Sequence, residues 1–227
     1  MPRRAPSLLR VAGAAVVLLG ALSVSMALVG QPSSAGAGPL TLPHPAPFAA
    51  VRYGERPLKV LLVGDSMAGS LGVGLGEVAP AYNVELANAG HPGCSVSMDG
   101  KVELLYNTAP PGAPCALDRP DHLLAVWQAW VDAFRPDVVV YEGRSDLLNQ
   151  QVRGRWTWIG HHDFNTWFGA RLRAAVAVLS SRGAKVVLMT VPVSEERTER
   201  PRPQDNPVRV GRDGAILRLV AAADPGE

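Results

Sequence analysis

Apolar and polar positions along the chain alternate between two rhythms. Short apolar runs bounded by turn residues sit at Lys59–Val63, Asp137–Tyr141 and Ala184–Thr190. They are too short for buried helices and suit central parallel strands. Tyr82–Ala87 alternates in strand fashion and leads into Asn88-Ala89-Gly90. Between these runs the period lengthens. Leu123, Trp127, Trp130, Val131 and Phe134 recur at helical spacing over Asp121–Phe134, as do Phe164, Phe168, Leu172, Ala175, Val176 and Leu179 over Phe164–Ser181. Met67–Ala79 predicts a further helix, and Pro207 fits the first turn of a last helix ending near Ala223. Strands alternating with helices predict a parallel sheet covered on both faces.

Three stretches break the rhythm. Val11–Val29 is continuously apolar behind Arg3-Arg4 and ahead of Ala35-Gly36-Ala37, which reads as an export signal. The run also reaches the minimum for a membrane span, so an uncleaved anchor is the alternative. Either way the following residues face outward. Residues 1–37 therefore form a signal peptide or anchor, 38–56 a Pro/Gly/Ala-rich linker, and 57–227 the folded domain. Residues 91–120 form a long proline-rich loop holding Cys94 and Cys115. In an exported chain these two cysteines are expected to pair, the alternative being two buried thiols. Residues 143–162 read as a polar, aromatic loop.

Composition narrows the function classes. Of 22 Lys and Arg, three (Arg3, Arg4 and Arg10) belong to the N-terminal segment, and the remaining 19 face 20 Asp and Glu. A body so balanced gives no electrostatic case for nucleic acid. Gly69, Gly72, Gly74 and Gly76 follow a strand, but a dinucleotide fingerprint starting at Gly72 needs glycine where Glu77 stands. No Lys-Ser/Thr pair marks a phosphate loop, so no cofactor is expected. The glycines read as close helix–sheet packing.

The chemistry concentrates at Gly64-Asp65-Ser66. A serine between a strand end and a helix start has unpaired N–H groups and the helix dipole beside it, which suits a nucleophile with an oxyanion donor. An ordinary helix N-cap is the competing reading. His161-His162-Asp163 places imidazoles beside a carboxylate, either as a base with its orienter or as a loop capped by Asp163 before a helix at Phe164. No third ligand has metal spacing, so no metal is expected. His91, next to Gly90, is a further base candidate.

The segments VLLVGDSMA, NAGHPGC, DVVVYEGRSDLL and WTWIGHHDF, with the run Ala170–Val191, make the region from about Pro57 to Gly226 resemble the SGNH (GDSL) hydrolases. The nearest likeness is to the SGNH domain linked to actinobacterial acyltransferase-3 type membrane acyltransferases. The resemblance implies a flavodoxin-like three-layer αβα domain. It implies a serine esterase or O-acyl transferase acting on acyl esters of envelope carbohydrate, outside the membrane, with a membrane acyltransferase as possible partner. A non-catalytic accessory or relic domain binding envelope glycan or such a partner is the alternative. Ser66 takes the nucleophile's place with Asp65 beside it, and Gly90 takes that of a backbone oxyanion donor. Ser145 stands where the family's G-x-N-D block has asparagine, and Arg144 offers either a guanidinium to the site or a surface ion pair. The family's base lies in a D-x-x-H block after a fifth strand. No D-x-x-H occurs in these 227 residues, so the expectation is a domain without its last segment and of weak activity.

Overall fold

In a computed structural model, the protein is described at residues 56–104, 107–110, 122–193 and 202–223. The apolar segment Val11–Val29, the linker and Cys115 lie outside the described residues. So the expectations of export and anchoring lie outside the described residues, as does the Cys115 half of the cysteine pairing.

The principal sheet holds four parallel strands, β1 (Leu58–Gly64), β2 (Val84–Gly90), β5 (Val138–Glu142) and β8 (Lys185–Leu188), in the order β2-β1-β5-β8. Helix α1 (Ser66–Val78) follows β1, α2 (His122–Phe134) precedes β5, α3 (His162–Leu179) precedes β8, and α4 (Pro207–Ala223) follows it. Because β2 and β5 flank β1 on opposite sides, right-handed crossovers put α1 on one face and α2 and α3 on the other. The fold is thus the flavodoxin-like α/β arrangement, with the strand order reversing between β1 and β5.

Strand alternation explains the core. Leu61 and Val63 join Val139 and Tyr141 beneath Trp127, Phe164, Phe168 and Leu172, all buried. Trp127 meets Tyr141 edge to face at 5.8 Å between ring centres. Leu62, equally buried, points to the opposite face. The helix starts differ slightly from those expected. Ala79–Tyr82 is a short 3₁₀ turn, so β2 begins at Val84. Helix α3 begins at His162, two residues early, with His161 as its cap and Asp163 inside the first turn. Asp163 is therefore not the cap; its carboxylate instead complements the helix dipole.

The segment read as a loop over 143–162 contains structure. Hairpin β6 (Gln150–Val152) and β7 (Arg155–Thr157) joins β3 (Val102–Glu103) and β4 (Thr108–Ala109) in a second, antiparallel sheet of order β4-β3-β6-β7. Arg153 and Gly154, at φ 51° and 76°, make the two-residue hairpin turn.

The glycine reading of α1 divides in two. A Cβ on Gly69 would lie 3.1 Å from Gly90 O, and one on Gly72 would lie 2.3 Å from Asn88 Cγ, so these two do serve close packing. Cβ atoms on Gly74 and Gly76 would meet nothing within 4 Å. Gly74→Ala and Gly76→Ala are therefore expected to stabilise the fold by about 0.5–1 kcal/mol each through helix propensity. Urea unfolding checks this, and Gly72→Ala should be destabilising in the same assay.

Candidate active site

The site forms where β1 and β5 end side by side, at the reversal of strand order, the place where open α/β sheets bind ligands. Gly64 closes β1 at φ 137°, a conformation suited to glycine, and a Cβ there would sit 1.7 Å from Glu142 O. This close approach lets the Asp65 N–H donate to Glu142 O at 3.2 Å. The chain then turns directly into α1.

Asp65, fully buried, performs the capping. Its Oδ1 accepts from the Met67 N–H at 2.8 Å, and its Oδ2 accepts from the Ser145 N–H. One carboxyl thereby ties the start of α1 to the turn after β5. Capping by Asp65 leaves Ser66, the first residue of α1, exposed. Among the described residues its hydroxyl makes no hydrogen bond. The two readings of Gly64-Asp65-Ser66 thus divide between neighbouring residues: Asp65 is the cap, and the Ser66 hydroxyl is at liberty beside the helix N-terminus.

The other expected residues are placed as follows. Gly90 ends β2 opposite Gly64 in register. Its N–H donates to Asn88 Oδ1 at 3.1 Å, and a Cβ there would lie 2.3 Å from Gly69 N. The approach of α1 thus by itself requires glycine here. His91 is exposed, its N–H donating to Gly64 O at 3.0 Å, which anchors its backbone at the end of β1. Ser145 contributes its N–H to Asp65, as above. Arg144 pairs through Nη2 with Asp205, and the side chains are only 19% and 13% exposed, so the pair is largely sheltered rather than on open surface. It ties the turn after β5 to the entry of α4. His161 and His162 line a pocket between β7 and α3 whose lining does not include Ser66. Cys94 is buried, while its expected partner Cys115 lies outside the described residues.

Beneath the site lies a group of acids the motifs did not single out. Asp146 is buried and accepts from Tyr141 OH, Ser97 Oγ and, at 2.9 Å, the Ser97 N–H. Gln150 Nε2 donates to Ser97 Oγ at 2.7 Å. Burial raises the Asp146 pKa to about 6, although the hydrogen bonds from Ser97 and Tyr141 oppose the rise. Glu142 is buried at the end of β5, and among the described residues its Oε2 has no hydrogen-bond partner. Burial first, then Asp65 and Asp146, push it up to about 8. Asp213 on α4, also buried, rises to about 8 through burial and then the charges of Asp146 and Glu142. The sequence signal for this group was Glu142-Gly143-Arg144-Ser145-Asp146 at a strand end; Asp213 gave none.

An exposed serine thus starts a helix at the carboxyl end of a central parallel strand, in a doubly wound α/β domain. The family model of the SGNH domain (fused to AT3 domains) matches residues 38–219, and the chain belongs to that family. It is an SGNH hydrolase-type domain. The solved structures it is similar to include TesA, at 19% identity over 74% of each chain with a TM-score of 0.44. A putative acylhydrolase from Bacteroides fragilis is similar at 14% identity over 75% of this chain and 67% of that one, TM-score 0.47. An acetyl xylan esterase from Geobacillus stearothermophilus is similar at 19% identity over 75% of each, TM-score 0.43. None of the curated proteins matches.

Proposed function

We propose that the chain is a serine esterase or O-acyl transferase acting on acyl esters of cell-envelope carbohydrate, with Ser66 as its nucleophile. The observation that carries this is the division of labour at the β1–α1 turn: Asp65 takes the cap, and the Ser66 hydroxyl stands exposed and unengaged. In the proposed reaction, Ser66 Oγ bonds to the acyl carbonyl carbon and loses its proton to a base. N–H groups of the first turn of α1 face the developing oxyanion. The carbohydrate alkoxide leaves with a proton, and water or an acceptor hydroxyl then takes the acyl group from Ser66. Among the described histidines, His91 has its backbone at the end of β1, its N–H donating to Gly64 O.

The reading includes export, with residues 38–227 outside, supported by Arg3-Arg4 ahead of Val11–Val29, and a Cys94–Cys115 bridge. A membrane acyltransferase partner is supported by the fusion that the family's description records. A second reading, an accessory domain without catalysis, is favoured by one observation: among the described residues no imidazole hydrogen-bonds to the Ser66 hydroxyl.

A fluorophosphonate probe separates the two. The esterase reading expects covalent labelling at Ser66, lost in Ser66→Ala with unfolding free energy unchanged within about 0.5 kcal/mol, as for exposed sites generally. A folded wild-type chain that takes no label supports the accessory reading.

A further inference from the structure

The pocket between β7 and α3 plays no part in the chemistry proposed for Ser66. It has a volume of about 770 Å³ and runs along the edge strand of the small sheet. Two tryptophans line it, and Trp156 is 43% exposed. A single surface tryptophan calls for no explanation; an exposed one sharing a concave wall with Trp167 does. Two cations share that wall. The hairpin turn carries Arg153 and β7 begins with Arg155, both exposed. Neither guanidinium finds a carboxylate among the described residues. The His161 ring is held at the pocket by Trp158, 3.8 Å away between ring centres, and by Thr157 Oγ1 at 3.3 Å. Asp163 adds a hydrogen-bond acceptor.

We propose that this pocket is a glycan subsite that takes a pyranose ring bearing an acidic group. One face of a pyranose is a patch of C–H groups, which an indole face covers without losing hydrogen bonds. Its hydroxyls need planar and forked partners, which arginine, imidazole and carboxylate supply. The acidic substituent answers the two unpaired guanidiniums. The volume falls in the range of sites for drug-sized ligands, so a short oligosaccharide fits better than one ring. Single-stranded nucleic acid also uses tryptophan and arginine. Against it stands a body of 19 basic to 20 acidic residues, without the extended positive field that a phosphate backbone calls for.

The test is made on the full-length Ser66→Ala chain, so that binding is read without turnover and its failure is separate from failure of the esterase reading. Tetrasaccharides of glucuronate, galacturonate and mannuronate are titrated by calorimetry and tryptophan fluorescence, beside their methyl esters and a ten-residue oligothymidylate. At least one acidic tetrasaccharide should bind saturably. Its affinity should fall about tenfold in Trp156→Ala, the loss of one stacking contact, and substantially less in Trp156→Phe. Arg155→Gln and methyl esterification should each weaken it as well. Absence of binding by all three acids overturns the proposal. So does binding indifferent to Trp156→Ala in a folded chain, equal binding of the methyl esters, or tighter binding of the oligothymidylate.

Discussion

Asp146→Ala is expected to destabilise the protein by about 3–5 kcal/mol, the magnitude seen when one partner of a buried charged network is removed. Three donors lose their acceptor together: Tyr141 OH, Ser97 Oγ and the Ser97 N–H. None has water to turn to, since Tyr141 and Ser97 are themselves 1% and 0% exposed. An opposing effect exists, because Asp146 helps raise the pKa of both Glu142 and Asp213, and its removal relieves that repulsion. The hydrogen bonds should win, as three buried donors at about 1–3 kcal/mol each exceed the relief of one charge. Asp146→Asn keeps one acceptor oxygen and should cost markedly less. The damage should extend to the site, because the 3₁₀ turn Arg144–Leu147 that carries Asp146 also carries the Ser145 N–H bound to Asp65. Urea unfolding of the two variants measures the first effect, and phosphonate labelling of Ser66 the second. An alanine variant within 1 kcal/mol of the parent would show that the network is dispensable.

Stability is expected to fall by several kcal/mol as pH rises from 5 to 8, the reverse of the usual carboxylate behaviour. Glu142 and Asp213 hold their protons in the folded state up to about pH 8, and Asp146 up to about pH 6. In the unfolded chain all three release them near pH 4. The stabilisation from these raised groups is complete below pH 4 and is lost as pH climbs through 6 and 8. Each proton the folded state holds in excess lowers the unfolding free energy by about 1.4 kcal/mol per pH unit. Asp137 acts oppositely. Hydrogen bonds from Arg56 and the Lys59 N–H hold it down to about 2, so its contribution is present above pH 4 and fades as pH falls toward 2. Together these place the stability maximum near pH 4–5. Glu142→Gln and Asp213→Asn should each flatten the slope between pH 5 and 8 by about one proton. A parent protein whose urea midpoint is level across that range would remove the buried-acid account.

The linear order of elements was legible because each rests on local periodicity. The expected bounds of α2 and α4 fall within a residue of those observed, and β1, β5 and β8 coincide with the apolar runs. The turn at Gly64-Asp65-Ser66 was legible for the same reason: strand, cap and helix start are consecutive residues. Alternation of strand and helix was enough to fix a parallel sheet.

What the sequence did not determine depends on residues brought together from far apart. The second sheet rests on strands of two or three residues, too short to carry a period, and it exists through pairings such as Val102 with Ala109 and with Gln150. Glu142, Asp146 and Asp213 are unremarkable alone; burial and mutual charge make them a group, and both follow from how distant segments pack together. That Gly90 is packed against α1 is visible only in the fold. His161 and His162 share a motif with Asp163, yet the fold sets them with Trp156 and Arg155 in another pocket and leaves His91 at the end of β1. Sequence adjacency fixed local conformation through capping and periodicity. Which side chains share a pocket, a proton or a buried charge was decided only by long-range packing, where desolvation and close contact set the energies.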